Sequence, residues 1–245
     1  MKPEASDVDA ASARSPGVAM GRGAGGALRG SLLEARVRSG VVRGPLFQRR
    51  VVPAVFGEPE YAEELVPAEL CPARPHVIAW DAWRRMVAAA VREGVDPAPL
   101  QIHAGYRSVA FQAQIWEYRL AERRDARVRE GLPPLAERDL ERQQRKWTAK
   151  PGGSAHHTGF ALDLALYHLG RTGSRRSPAY AWLVRNARAF GFYPYLPEAW
   201  HWEYNPPGVL AQLRALRAAL REGRAPVELA LAPDSIPEAA PRPRS

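Results

Sequence analysis

Apolar positions mark out a central stretch of helices and short strands. Val77, Trp80, Trp83, Val87 and Val91 recur at spacings of three and four with Arg84 and Arg85 between them, which predicts a helix over 77–91. Asp81 lies near its start, and Gly94 closes it. Leu100, Gln101 and Ile102 form a short strand candidate. Ser108 reads as the N-cap of a helix from Val109 to about Arg124, with Phe111, Ile115 and Tyr118 on its apolar face. Pro133 and Pro134 break the chain before a strongly charged helix over 135–147, and Lys150 to Ser154 is a loop. The run from Phe160 to Leu166 alternates weakly, as a strand does. Ser177 and Pro178 start a helix that stops at Gly191. Trp200 to Tyr204 is a short aromatic strand, and Leu210, Leu213, Leu216 and Leu220 stripe a last helix over 207–221. Helices and short strands in mixed order predict an α+β domain, a small antiparallel sheet with flanking helices.

The two ends lack this periodicity. Residues 1–40 are dominated by Ala, Gly, Arg and Ser, and read as disordered. From Gly223 the chain carries Pro226, Pro233, Pro237, Pro241 and Pro243, too dense for a helix or a central strand. The expected organisation is a disordered head over 1–40, a folded domain over 41–222 with its motifs in 77–205, and a disordered Pro-rich tail over 223–245. A length of 245 residues accommodates one domain with extensions. The start, Met1-Lys2-Pro3-Glu4, leads into no apolar core of about 7–15 residues, so no signal peptide is visible. No run of ~18 apolar residues predicts a transmembrane helix.

Composition adds two constraints. The single cysteine, Cys71, excludes an intrachain disulfide framework and a Cys-rich zinc site. The chain has 35 Lys+Arg against 26 Asp+Glu, a net of +9, and only Lys2, Lys146 and Lys150 are lysines. That charge suggests a polyanion binder, but Arg, Ala, Pro and Gly rise together in GC-rich coding DNA, which weakens the inference.

Two segments concentrate the chemistry: Ser154-Ala-His156-His157-Thr158-Gly159-Phe160-Ala161-Leu162-Asp163 and Glu198-Ala-Trp200-His201-Trp202-Glu203-Tyr204. A hydrolytic zinc site uses three protein ligands, usually His with a carboxylate, and leaves a position open for water. His156, Asp163 and His201 can supply the ligands, and Glu198 a base. Gly159 allows the bend that brings a loop residue and a strand residue to one ion. Each residue also has a simpler reading. Adjacent loop histidines are commonly solvated, and His201 between two Trp residues could be a satisfied core histidine. Glu198 could be a loop carboxylate, and Asp163 amid Leu162, Leu164 and Ala165 could pair with an arginine. The joint occurrence of the right ligand types favours a metal.

These motifs resemble a known family. Ser154-x-His156-x-x-Gly159-x-Ala161-x-Asp163 followed by Glu198-x-Trp200-His201 is similar to the double signature of the VanY-type zinc D-alanyl-D-alanine carboxypeptidases. Gly105-Tyr106-Arg107-Ser108 with Gln112, and Trp182-Leu183-x-x-Asn186-Ala187-x-x-Phe190-Gly191-Phe192, resemble two further family segments in the same order. The resemblance implies zinc held in a cleft on the sheet by His156, Asp163 and His201. It implies Glu198 as general base and Arg107 as the arginine that stabilises charge on the substrate. Gln112, Ser154 and His157 fall at positions that line the substrate site. The implied substrate is a peptidoglycan peptide, and the implied reaction removes a C-terminal D-Ala.

The chain departs from the family pattern in places. Ala104 replaces the usual Ser before Gly105, His157 stands where Gln or another polar residue is commoner, and 125–148 is a long charged insertion. An extended backbone at 156–157 would send the two imidazoles to opposite sides, so His157 is not expected to share the metal. The implied substrate lies outside the cytoplasm, which leaves localisation and export route open. The same metal kit also serves L,D- and D,D-endopeptidases and dipeptidases. Outside the enzymes, a basic nucleic-acid- or wall-binding protein is the rival. Arginine here is scattered and shares helices with acids, as in Glu137-Arg-Asp-Leu-Glu-Arg142, which argues against nucleic acid.

Overall fold

A computed structural model describes residues 49–224. The head expected over 1–40, and all of the expected tail beyond Arg224, lie outside the described residues. In chain order the elements are α1 (Pro53–Phe56), α2 (Val77–Arg92), β1 (Ile102–Ala104), α3 (Val109–Arg129), α4 (Glu137–Gln144), β2 (Ala161–Leu164), α5 (Gly170–Arg176), α6 (Pro178–Asn186), β3 (Phe192–Pro194), β4 (His201–Tyr204) and α7 (Val209–Arg221). Short 3₁₀ turns join several of them. The strands form one antiparallel sheet in the order β1-β2-β4-β3, so the α+β class is as expected.

Strand alternation divides the sheet into two faces. Leu162 and Leu164 of β2, and Trp202 and Tyr204 of β4, belong to the core, with Leu162 registered on Trp202. Ala79, Ala82, Met86 and Ala90 of α2, Trp182 and Leu183 of α6, and Val209 and Leu213 of α7 belong to the same core. The other parity carries Asp163, His201 and Glu203, so the hydrophobic face fixes which residues are left for chemistry.

Several elements differ from expectation for identifiable reasons. α2 buries Trp83 of the expected stripe together with Ala79, Ala82, Met86 and Ala90, while Val87 is only partly buried and Val91 is exposed, because small residues allow close packing against the core. Its N-cap is His76, whose Nδ1 accepts from Ile78 N–H at 3.2 Å; Asp81 instead pairs with Arg85 on the helix surface. β1 begins two residues late because Leu100 closes a 3₁₀ turn. Ser108 caps α3 as expected, accepting from Phe111 N–H at 3.1 Å. The buried face of α3 is Gln112, Trp116 and Leu120, while Phe111 and Tyr118 are exposed. The expected 135–147 helix shortens to α4, and Trp116, Leu120 and Leu140 form a small second core with Leu135. β3 and α5 were not expected. β3 has only three residues and becomes a strand by pairing with β4.

A buried charged cluster ties the outer elements together. Glu64 accepts from Arg217 Nη2 of α7 at 3.0 Å and faces His76 Nε2 at 3.3 Å. Burial alone would raise the Glu64 carboxyl, but His76 and Arg217 hold it below its ordinary 4.5. Burial, only partly opposed by Glu64, lowers His76 from 6.5. Both folded values are depressed, so each group's contribution is present above its unfolded value and fades as pH falls through the folded one. Glu64→Gln should therefore cost stability at pH 7, about 3–5 kcal/mol for a broken buried pair. The gap from the parent should persist down to about pH 4.5 and shrink below it, as Glu64 takes up a proton in the folded parent, which chemical denaturation at each pH would reveal. A gap independent of pH would refute this role for Glu64.

Candidate active site

The metal-ligand candidates arrive from three places. Residues Ala155–Thr158 form a 3₁₀ turn after Ser154, whose Oγ accepts from His156 N–H at 3.4 Å. Gly159 ends the turn at φ +72°, and a Cβ there would lie 2.9 Å from the His76 nitrogen, so a side chain is excluded twice over. Asp163 sits on β2 directly across from His201 on β4, and opposed residues of an antiparallel pair share a face.

The three side chains converge. His201 Nδ1 lies 2.8 Å from Asp163 Oδ1, His156 Nε2 lies 3.3 Å from Asp163 Oδ2, and one ligand atom from each residue falls within 4.8 Å of the others. The outer nitrogens are already committed. His156 Nδ1 is 2.7 Å from the Gly105 carbonyl, which only accepts, so this nitrogen carries the proton. His201 Nε2 is 3.1 Å from Glu203 Oε1 and donates in the same way. With both rings neutral, His156 Nε2 and His201 Nδ1 present lone pairs toward an ionised Asp163: acceptors face acceptors. Such an arrangement requires an added positive charge, and imidazole nitrogens with a carboxylate suit a divalent cation such as zinc.

Without a bound ion, a proton on His201 meets the same need for positive charge. Burial would raise the Asp163 carboxyl, yet the two histidines hold it well below the usual carboxylate range. Burial would lower His201, yet Asp163 and Glu203 push it up to about 9. Glu198 follows the turn after β3, where its N–H donates to the Tyr195 carbonyl at 3.0 Å and its carbonyl accepts from His201 N–H at 3.1 Å. Burial raises its carboxyl above the ordinary value, with His201 opposing and Asp163 adding to the rise. The Glu198 carboxylate makes no hydrogen bond among the described residues and is free to take a proton.

Arg107 is built into the opposite wall. Its N–H donates to the His156 carbonyl at 3.1 Å, and its Nη1 donates to Gln112 Oε1 at 3.0 Å. Gln112 Nε2 in turn donates to the Ala149 carbonyl at 2.8 Å. His157 lies in the 3₁₀ turn, not in extended chain. At three residues per turn its ring is rotated roughly 120° from His156 and away from the metal candidates. It is buried, with Nδ1 2.6 Å from the Arg107 carbonyl and Nε2 accepting from Gly152 N–H at 3.1 Å. Gln112, Ser154 and His157 are thus buried against protein partners, stitching residues 149–154 to Arg107 and His156. Glu203 had no expected role, although a residue two beyond a strand ligand points to the same face and could have been found that way.

A His/Asp/His set beside a part-buried glutamate on a small sheet defines the class: a candidate metal-dependent hydrolase. The chain belongs to the VanY family, D-alanyl-D-alanine carboxypeptidase, whose family model matches residues 74–207. A D-alanyl-D-alanine carboxypeptidase of Enterococcus faecalis (strain ATCC 700802 / V583) is 30% identical over 127 residues, covering 47% of this chain and 42% of the relative. The chain therefore spans less than half the length of that curated relative. Among solved structures, a mutant D,D-pentapeptidase VanY from a VanB-type vancomycin resistance cassette, in complex with Zn(II), is 22% identical at TM-score 0.44, covering 74% of this chain and 94% of that one. VanYB in complex with D-alanine-D-alanine is 22% identical at TM-score 0.45, covering 69% and 88%. The LdcB LD-carboxypeptidase is 20% identical at TM-score 0.42, covering 74% and 75%.

Gly159→Ala should destabilise the fold by about 1–3 kcal/mol, the usual range for a strained backbone position. Thermal melting against the parent measures it, and an unchanged midpoint would contradict the close approach of His76.

Proposed function

We propose that this chain is a zinc-dependent peptidase acting on peptidoglycan peptides, removing a C-terminal D-Ala as a D,D-carboxypeptidase. The observation that carries the reading is the pair of imidazole lone pairs turned on Asp163 beside an unpartnered Glu198. Family membership supplies the reaction class. His156, Asp163 and His201 would hold the zinc. When bound, zinc supplies Lewis acidity that polarises a carbonyl and acidifies water.

The chain's own residues do the rest. Glu198 takes the proton of the attacking water, a task suited to a carboxyl whose affinity for protons burial has raised. It then delivers that proton to the amine of the departing D-Ala, so the C–N bond breaks without expelling an anion. Arg107 balances negative charge on the substrate, either the developing oxyanion or the terminal carboxylate, and its planar fork suits both. Gln112 fixes the guanidinium before substrate arrives. Gln112, Ser154 and His157 shape the wall on the Arg107 side. No helix among the described residues is long and apolar enough to cross a membrane.

Purified protein should contain about one zinc per chain, and His201→Ala should lose it. Glu198→Ala should keep the zinc but lose about 10²–10⁴-fold in hydrolysis of peptides ending in D-Ala-D-Ala. Metal analysis finding none, or a Glu198→Ala variant at the parent rate, would overturn the assignment. A panel adding L,D- and internal cell-wall bonds tests the cleavage position, with the D-Ala-D-Ala peptide expected to be cut fastest.

A further inference from the structure

The family match begins at residue 74, yet residues 50 and 51 reach the centre of the site. Glu203 is 1% exposed, and three donors converge on it. Val51 N–H reaches Oε2 at 2.6 Å, Arg50 Nη2 reaches Oε1 at 2.8 Å, and His201 Nε2 reaches Oε1 at 3.1 Å. The Arg50 carbonyl accepts from Asn205 Nδ2 at 3.0 Å, just beyond β4. The Arg50 guanidinium lies 4.0 Å from the centre of the Tyr195 ring, which meets His201 edge-on at 5.6 Å. Arg50 is therefore held at its backbone, its charged end and its stacked face.

A carboxylate buried this deeply is costly unless its charge and lone pairs are matched. His201 alone offers one donor. Without Arg50, Glu203 would lose one of its three donors and be held less firmly in place, and His201 Nε2 would lose its fixed acceptor. Outer-shell partners of this kind set the tautomer and ring orientation of a metal-bound histidine.

We infer that Arg50 is a positioning residue of the site, holding Glu203 as the anionic acceptor for His201 Nε2–H so that Nδ1 faces Asp163 and the metal. The inference rests on the zinc reading proposed above and extends it to a segment outside the family-matched stretch. Arginine suits the position because its fork reaches Glu203 while its plane covers Tyr195; lysine would keep the charge but not the stacking. The Arg50 side chain is 42% exposed, so truncation opens no cavity in the core.

The test uses the full chain in the parent, Arg50→Ala, Arg50→Lys, Glu203→Gln and double-variant forms. Zinc affinity is read by competition with a chromophoric chelator, and melting of zinc-free protein is the control. Loss of an outer-shell partner typically weakens metal binding about 10–100-fold. Arg50→Ala should fall at the low end, Glu203→Gln at or beyond it, and Arg50→Lys should recover part of the loss. The double variant should bind no worse than Glu203→Gln alone, since Arg50 acts through Glu203. An Arg50→Ala variant that binds zinc like the parent overturns the inference and leaves the zinc reading standing. So does a further loss in the double variant. A parent chain that binds no zinc overturns the zinc reading and the inference with it.

Discussion

A half-buried carboxylate at Asp163 is the constraint around which the site is arranged. It stands on a four-residue strand between two leucines that face the core, so its own side chain lies on the opposite face, with His201 and Glu203. An anion in such surroundings needs positive partners. The register of β4 brings His201 opposite it, and the 3₁₀ turn ended by Gly159 brings His156 alongside. Gly105 and Glu203 then claim the outer nitrogens, which leaves lone pairs inside. A protein that wanted only a neutral core would not place three acceptors in one cradle. Added positive charge, whether a proton or a metal cation, completes such an arrangement.

The wall that carries Arg107 depends on different physics. α3 and α4 form a hairpin with a core of its own, Trp116, Leu120 and Leu140. The chain that leaves this hairpin offers the Ala149 carbonyl to Gln112 and the Gly152 N–H to His157. Both partners reach back to Arg107. The charged insertion is thereby coupled to Arg107 through two buried polar side chains whose hydrogen-bonding groups are in use.

Much of this was legible in the chain and some was not. Periodicity marks α2, α3 and α7, and start and stop signals at Ser177, Pro178 and Gly191 mark α6; the caps at Ser108 and Ser177 are readable because a hydroxyl ahead of a helix has a local physical meaning. His76 as the cap of α2 was not readable, since the residue is committed by its contacts with Glu64 and Phe160, far away in sequence or in another element. The face of α3 was misjudged because the buried side is led by Gln112, a polar residue needed by Arg107, while Phe111 and Tyr118 face outward. β3 is too short to have a period and exists through its partner. The candidate ligand set was visible as a combination of residue types, whereas the proton placement on His156 depends on the Gly105 carbonyl, 51 residues away.

The arginine-rich composition separates into two populations. Pairs such as Arg124 with Glu137, Arg142 with Asp139 and Arg224 with Glu222 lie on exposed surface, where an ion pair contributes about 0–1 kcal/mol and salt screens it. Arg217 and Arg50 are different, because their partners Glu64 and Glu203 are buried and cannot exchange the contact for water. The first anchors α7 to the start of the described chain, and the second meets the candidate site. A third arginine, Arg171, lies 6.0 Å from the Trp147 ring and acts on the charge of Glu198. Asp163, Glu198 and Glu203 make the cradle acidic, and a peptide ending in a carboxylate would be repelled by it without compensation. Arg50 pairs with Glu203, Arg171 acts on the charge of Glu198, and Arg107 is hydrogen-bonded to the His156 turn. The local placement of these arginines, more than the net of +9, sets the charge around the candidate site.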